Sequence, residues 1–193
     1  MTAERVGLGV RVHSGWAALA VTSGTLGVPL IVERRRIALV PSDDDAFVQP
    51  YHAAAKMTLP AARVTVERAL AHAERLAVAG LRTLASDVEP AALVSCAILD
   101  SKAKLPEDLS STLQSHALIH AAEGNLFRTA IERAARSCGL RAIRLVEKEL
   151  EGLLGTLRVA PGPPWTRDEK LASLAAFLAL DQYQRDLSAT VAS

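Results

Sequence analysis

The residues best suited to chemistry lie in one short stretch, Ser115 to Asn125, where His116, His120 and Glu123 fall at i, i+4 and i+7. On a helix advancing about 100° per residue, Leu113, Phe127, Ile131, Ala134 and Cys138 define an apolar stripe. Arg128, Glu132, Arg133 and Arg136 fall outside it, while His116, His120 and Glu123 fall on the stripe or at its near edge. The wheel therefore expects two imidazoles and a carboxylate to turn inward, toward the end of the first strand. A polar group buried without a partner costs about 1–3 kcal/mol, so something must satisfy them. Three readings are open. The groups form a closed polar network, with His13 and Ser14 as candidate partners. Or they line a ligand pocket beyond the strand ends, where open α/β sheets commonly bind. Or His116, His120 and Glu123 hold a divalent ion such as Zn²⁺ or Fe²⁺, although a third ligand at i+7 of the same helix is a stretch.

Other candidates carry less. Asp43, Asp44 and Asp45 are adjacent but lack the spacing of a calcium loop, so a solvated loop is expected. Arg34, Arg35 and Arg36 read as charges that keep an edge strand from pairing with other chains, and less readily as a phosphate patch. His52 falls in a loop and His72 on a helix flank. Gly124, inside a helix, suggests close packing against the sheet or Trp16. Gly7-Leu8-Gly9 lies within a strand and opens no helix, so it is no phosphate loop. Cys96 and Cys138 form no CxxC pair and read as buried free thiols.

These residues must be positioned by elements that the pattern predicts. Arg5 to His13 alternates as a strand, with Val6, Leu8, Val10 and Val12 on one face. Turn residues separate it from strands at Trp16–Thr22 and Leu30–Val40. Pro41 to Pro60 is a break. Ala61–Ser86 has helical periodicity, and Ala91–Leu99 is a continuous apolar run that reads as a strand buried on both faces. Leu113–Cys138 reads as one long helix closed by Gly139, followed by a strand at Leu140–Val146 and an exposed charged stretch at Glu147–Glu151. Pro161–Pro164 is a rigid linker, and Thr166 with Glu169 forms a capping box opening a helix to about Leu187. The order β-β-β-α-β-α-β-α predicts an α/β fold with a mixed five-stranded sheet flanked by helices. Residues 1–160 form the main domain, with residues 161–193 packed on it.

A chain of 193 residues buries a core without disulfides or metal. Its formal net charge of +1 gives no sign of a general nucleic-acid binder. The N-terminus lacks the features of a signal peptide, and the most apolar run, Leu171–Leu180, is too short for a membrane span, so a cytoplasmic location is expected. That run covers almost a whole helical surface, which predicts burial in its own domain or a homodimer contact through residues 166–187. Arg outnumbers Lys by 17 to 5, which suits a bacterial source.

The element order resembles the ribonuclease H-like superfamily, and the opening is similar to its crossover-junction resolvase branch. The stretch Gly9-Val10-Arg11-Val12-His13-Ser14-Gly15-Trp16-Ala17 is similar to a first strand ending in a Gly/Ser turn before a Gly-aromatic-Ala step. Leu118 to Leu140, with Cys138-Gly139-Leu140 leading to Glu147-Lys148-Glu149, is similar downstream. The resemblance implies a first-strand Asp, a fourth-strand acid and a later acid or His, together holding two divalent ions for phosphodiester cleavage. Here the first-strand position falls on or beside Arg11, and no acid lies between Arg5 and Glu33. Asp100 matches the fourth-strand acid. The resemblance thus implies the fold without the nuclease. The expected protein is a non-catalytic binding domain without a required cofactor, with a cleft near His13, Ser14, Asp100, His116, His120 and Glu123. A metal-dependent phosphoester hydrolase built on the His/Glu cluster is the alternative, and a structural subunit dimerising through its C-terminal helix is a third reading.

Overall fold

A computed structural model describes residues 3–41, 45–159 and 161–191. The three expected strands form β1 (Arg5–His13), β2 (Trp16–Gly24) and β3 (Pro29–Ala38). Gly15, at φ +82°, makes the tight β1–β2 turn that places His13 opposite Trp16. Two short helices follow, α1 (Asp45–Val48) and α2 (Pro50–Ala54), within the segment expected to be a plain break. Pro50 occupies the first turn of α2, where its missing N–H leaves no bond unmade. The long helix α3 (Leu59–Asp87) leads to β4 (Ala92–Asp100). Asp43 and Asp44 lie outside the described residues.

The helix expected over 113–138 is two helices, α4 (Leu109–Leu113) and α5 (His116–Ser137). Ser115 breaks them: its backbone is extended, and its hydroxyl caps the new helix by accepting from the Leu118 N–H at 3.4 Å. Gly139, at φ +79°, ends α5, as the sequence predicts. Then come β5 (Arg141–Val146), α6 (Glu147–Glu151) and, after the linker, α7 (Arg167–Val191). The Thr166 capping box forms: Glu169 accepts from the Thr166 N–H at 2.7 Å.

The sheet order is β3-β2-β1-β4-β5, with β1 antiparallel to β2 and parallel to β4, and β4 parallel to β5. Val6, Leu8 and Val10 of β1 meet Ala73, Ala77 and Leu81 of α3 and Phe127 and Ile131 of α5 in the main core. The opposite face is covered by α7, which packs on β1, β2 and β4. There the backbone comes close: a Cβ on Gly9 would lie 1.8 Å from the Ala172 carbonyl oxygen, and one on Gly7 2.5 Å from that of Ala176. Leu171, Leu174, Ala175 and Leu180 are buried against the chain's own sheet. The apolar run therefore needs no second copy to cover it. Among the described residues, no helix is long and apolar enough to cross a membrane.

Candidate functional site

The carboxyl ends of β1, β4 and β5 lie side by side and open on a cavity of about 360 Å³, lined in part by Asp100, Arg128, Val146, Glu147 and Lys148. Around it, charged side chains are matched pairwise. Arg11, on β1, donates from Nε to Glu147 Oε2 at 3.0 Å and from Nη2 to Glu147 Oε1 at 2.8 Å. Its other nitrogen donates to Asp168, in the first turn of α7. This bidentate grip is the strongest geometry a guanidinium offers a carboxylate. The hydrogen bond to Glu147 holds the Arg11 guanidinium above its ordinary value against the opposing effect of burial, with the charge of Asp168 adding to it. The stretch at 147–151 is a short helix whose Lys148, Glu149 and Glu151 are exposed, as expected, while Glu147 is turned onto Arg11.

Asp100, at the end of β4, is held by two further arginines. Arg128 Nε lies 3.1 Å from its Oδ1, and Arg144 Nη1 lies 3.2 Å from its Oδ2. Burial alone would raise the Asp100 carboxyl, but Arg128, Arg144 and the Ser101 amide bring it below the ordinary value. Arg144 also donates to Glu132, Asn125 and Thr129 at 2.7–3.0 Å, which uses its whole fork. Arg128, expected on the outer face of its helix, is instead largely buried across it. Gly124 makes this possible: a Cβ there would meet the Arg128 guanidinium at 3.1 Å. The packing partner of Gly124 is thus Arg128, in place of the sheet or Trp16.

The resemblance to the crossover-junction resolvase branch implies two divalent ions at this place, and the residues present do not fit them. A fixed guanidinium already lies between Glu147 and Asp168, and two more neutralise Asp100. Cations brought among them would meet three permanent positive charges, and Asp100, Glu147 and Asp168 are each already paired with a guanidinium.

His13 belongs to this centre and has no part in the histidines of α5. Its Nε2 lies 3.0 Å from Asp168 Oδ2 and 3.2 Å from Arg11 Nη1, and its ring stacks on Trp16 at 4.1 Å. Arg36 covers Trp16 at 4.3 Å from its ring centre. Ser14 is exposed in the turn. The three adjacent arginines of the edge strand thus have specific partners. Besides Arg36, Arg35 pairs with Asp87 at 2.7 Å, and Arg34 binds the carbonyls of Pro161, Gly162 and Pro164 and so ties down the linker.

The cluster on α5 is arranged differently from the wheel. Glu123 is buried, but His116 and His120 are exposed, so the two imidazoles do not face the end of β1. The stripe of Phe127, Ile131 and Ala134 lies farther along α5; in its first turns the buried positions are Ile119, Ala122 and Glu123, which leaves His116 and His120 outside. What the structure adds is His52 of α2. Its Nδ1 lies 2.9 Å from Glu123 Oε1, and its backbone N–H donates to the same oxygen at 3.2 Å. The rings of His52, His116 and His120 meet edge-on, with centroids 4.4–5.3 Å apart. Burial, and then the charge of Glu123, pushes the neighbouring Tyr51 phenol up from its ordinary value. The sequence signal that would have found His52 is Pro50, which starts a helix and presents the next residues toward α5. His72 stands apart, 2.7 Å from Arg75. Cys96 is free and buried, its thiol pushed up by burial, whereas Cys138 is free but only half-buried.

No family model matches the chain, and no curated protein matches it in sequence. Solved structures do. The chain is similar to Thermus thermophilus RuvC, with a TM-score of 0.53 at 10% identity over 94% of this chain and 96% of that one. It is likewise similar to T. thermophilus RuvC in complex with a Holliday junction substrate, with a TM-score of 0.50 at 9% identity over 90% of each chain. The fold is therefore ribonuclease H-like, shared with these structures, as the element order implies.

Proposed function

We propose that this protein is a non-catalytic ribonuclease H-like binding domain whose cleft at the strand ends recognises a partner without cutting phosphodiester bonds. One observation carries the reading: Arg11 grips Glu147 with two hydrogen bonds and reaches Asp168, at the place where a resolvase-like nuclease gathers its acids. The net charge of +1, with the cleft arginines committed to internal carboxylates, supports recognition of shape and hydrogen-bonding groups over bulk attraction to a polyanion. The cleft so described includes His13 and Asp100. His116, His120 and Glu123 lie at a separate cluster with His52.

The test is incubation of the purified chain with labelled four-way DNA junctions and linear duplexes in Mg²⁺ or Mn²⁺. No cleavage above a protein-free control is expected. Metal-dependent cleavage that disappears in Asp168→Asn would overturn the reading. The alternative, a metal-dependent phosphoester hydrolase, is favoured by the three histidines around buried Glu123. It predicts turnover of a simple phosphoester that is lost in His120→Asn and kept in Asp168→Asn.

A further inference from the structure

We propose that His52, His116 and His120 form a site for a borderline transition-metal ion, best matched by Zn²⁺, with Glu123 behind it as the group that orients His52. The site stands on the flank of the molecule between α2 and α5, and it does not depend on whether the cleft at the strand ends binds a partner.

The case begins with geometry. Each imidazole can offer one nitrogen such that all three lie within 4.8 Å of one another. Zn–N bonds of 2.0–2.1 Å in tetrahedral geometry put ligand nitrogens about 3.4 Å apart. The remaining gap is closed by small side-chain rotations. His116 and His120 have room to make them, because both are exposed and the ring contacts they make are with each other and with His52. Their spacing of one helical turn puts both on one face of α5, and His52 comes from a second element. The donor set is therefore not confined to one helix, which removes the difficulty of a third ligand at i+7.

Chemistry points the same way. Glu123 is 2% exposed and, among the described residues, pairs with no Lys or Arg. Its oxygens meet the His52 N–H, the His52 ring and, at 3.9 Å, the His120 ring. A buried carboxylate calls for positive charge close by. A divalent ion on the far side of His52 supplies it. With Nδ1–H donated to Glu123, the Nε2 lone pair of His52 is left to bind metal. This carboxylate–histidine–metal relay is the usual way a protein fixes the tautomer and orientation of a ligand. Three neutral nitrogens favour Zn²⁺ and its neighbours over Mg²⁺ or Ca²⁺, which want oxygen. The fourth position faces solvent and takes water. The ion would pin the short helix α2 onto α5.

The experiment uses the whole chain, stripped with chelator and titrated with Co²⁺ and Zn²⁺ by absorbance and calorimetry. One ion per chain is expected, with a visible Co²⁺ band that Zn²⁺ erases and Mg²⁺ does not. Glu123→Gln should weaken binding by roughly 10–100-fold, the usual effect of losing such an orienting group. His52→Gln should weaken it further. His120→Asn, at an exposed position that leaves the core untouched, should abolish the band while the circular dichroism spectrum is unchanged. Absence of stoichiometric binding overturns the proposal. So does binding that survives unchanged in His52→Gln, because the ion would then sit on an exposed histidine pair alone. Should the Glu123 variant fail to fold, His120→Asn and His52→Gln decide the matter.

Discussion

Two regions of this molecule gather groups that attract cations, and they treat the attraction in opposite ways. At the ends of β1, β4 and β5, acids are drawn together and each is met by a guanidinium from the chain itself. Between α2 and α5, three imidazoles gather beside a buried carboxylate that has no guanidinium or ammonium partner among the described residues. One place is filled by covalently attached charge, and the other is left for a cation from solution. On the proposed reading, the arginines stand where a metal-dependent centre would gather cations, and the fold keeps its shape around them. An arginine replaces the ion electrostatically but offers no bound water and no Lewis acidity.

The comparison is most severely tested at Arg11. Arg11→Met removes the shared cation and leaves Glu147 and Asp168 facing each other, both less than a quarter exposed. A loss of about 3 kcal/mol in urea unfolding is expected, at the low end for a buried pair because solvent still reaches it. Mn²⁺ should recover part of that loss in the variant and do nothing for the parent chain. Equal effects of Mn²⁺ on both would mean that Arg11 does not occupy the place of a metal.

The histidine cluster should respond in the reverse sense. Zn²⁺ at 100 times its Kd should stabilise the parent chain by about 2.7 kcal/mol, seen as a rise in Tm, and leave His120→Asn unmoved. Asp100→Asn should cost about 1–2 kcal/mol at neutral pH. The sign with pH follows from the lowered carboxyl of Asp100. Its contribution is complete above the ordinary carboxylate range, near pH 4, and is lost as pH falls through its lower native value. The gap between parent and variant should therefore be constant near neutrality and close in acid. The smallest effect is expected at Gly124→Ala. Better helix propensity, about 1 kcal/mol, is offset by displacement of Arg128, leaving a net gain of about 0.5 kcal/mol by urea unfolding. A clear loss would show that Arg128 is fixed rigidly on Asp100.

Much of the scaffold was legible because local patterns and global packing agree. Alternation in β1, the apolar run of β4, the Thr166 capping box and Gly139 each specify their element through short-range physics. The charged centre was legible only in part. Arg11 announces a missing acid, but its partners lie 136 and 157 residues away, and nothing local marks Glu147 as turned inward. The glycines of β1 looked like one face of an alternating strand, and their purpose emerges only when α7 is seen lying on them. At the histidine cluster, spacing revealed the pair and its carboxylate. The face was misjudged because the buried side at the start of α5, Ile119, Ala122 and Glu123, differs from the stripe of Phe127, Ile131 and Ala134 farther along, and His52 was missed because its helix is a single short turn.

The close approach of α7 to Gly7 and Gly9 has a consequence for synthesis. Asp168 follows Arg11 by 157 residues, which at 5–20 residues per second is roughly 8–30 s on the ribosome. During that interval the meander can pair and its glycine-floored side stays bare, with only small neighbours such as Ala20 and Thr22 beside the exposed β1 backbone. Assembly of this domain during synthesis is therefore lid-last, with β1 made well before the helix that covers it.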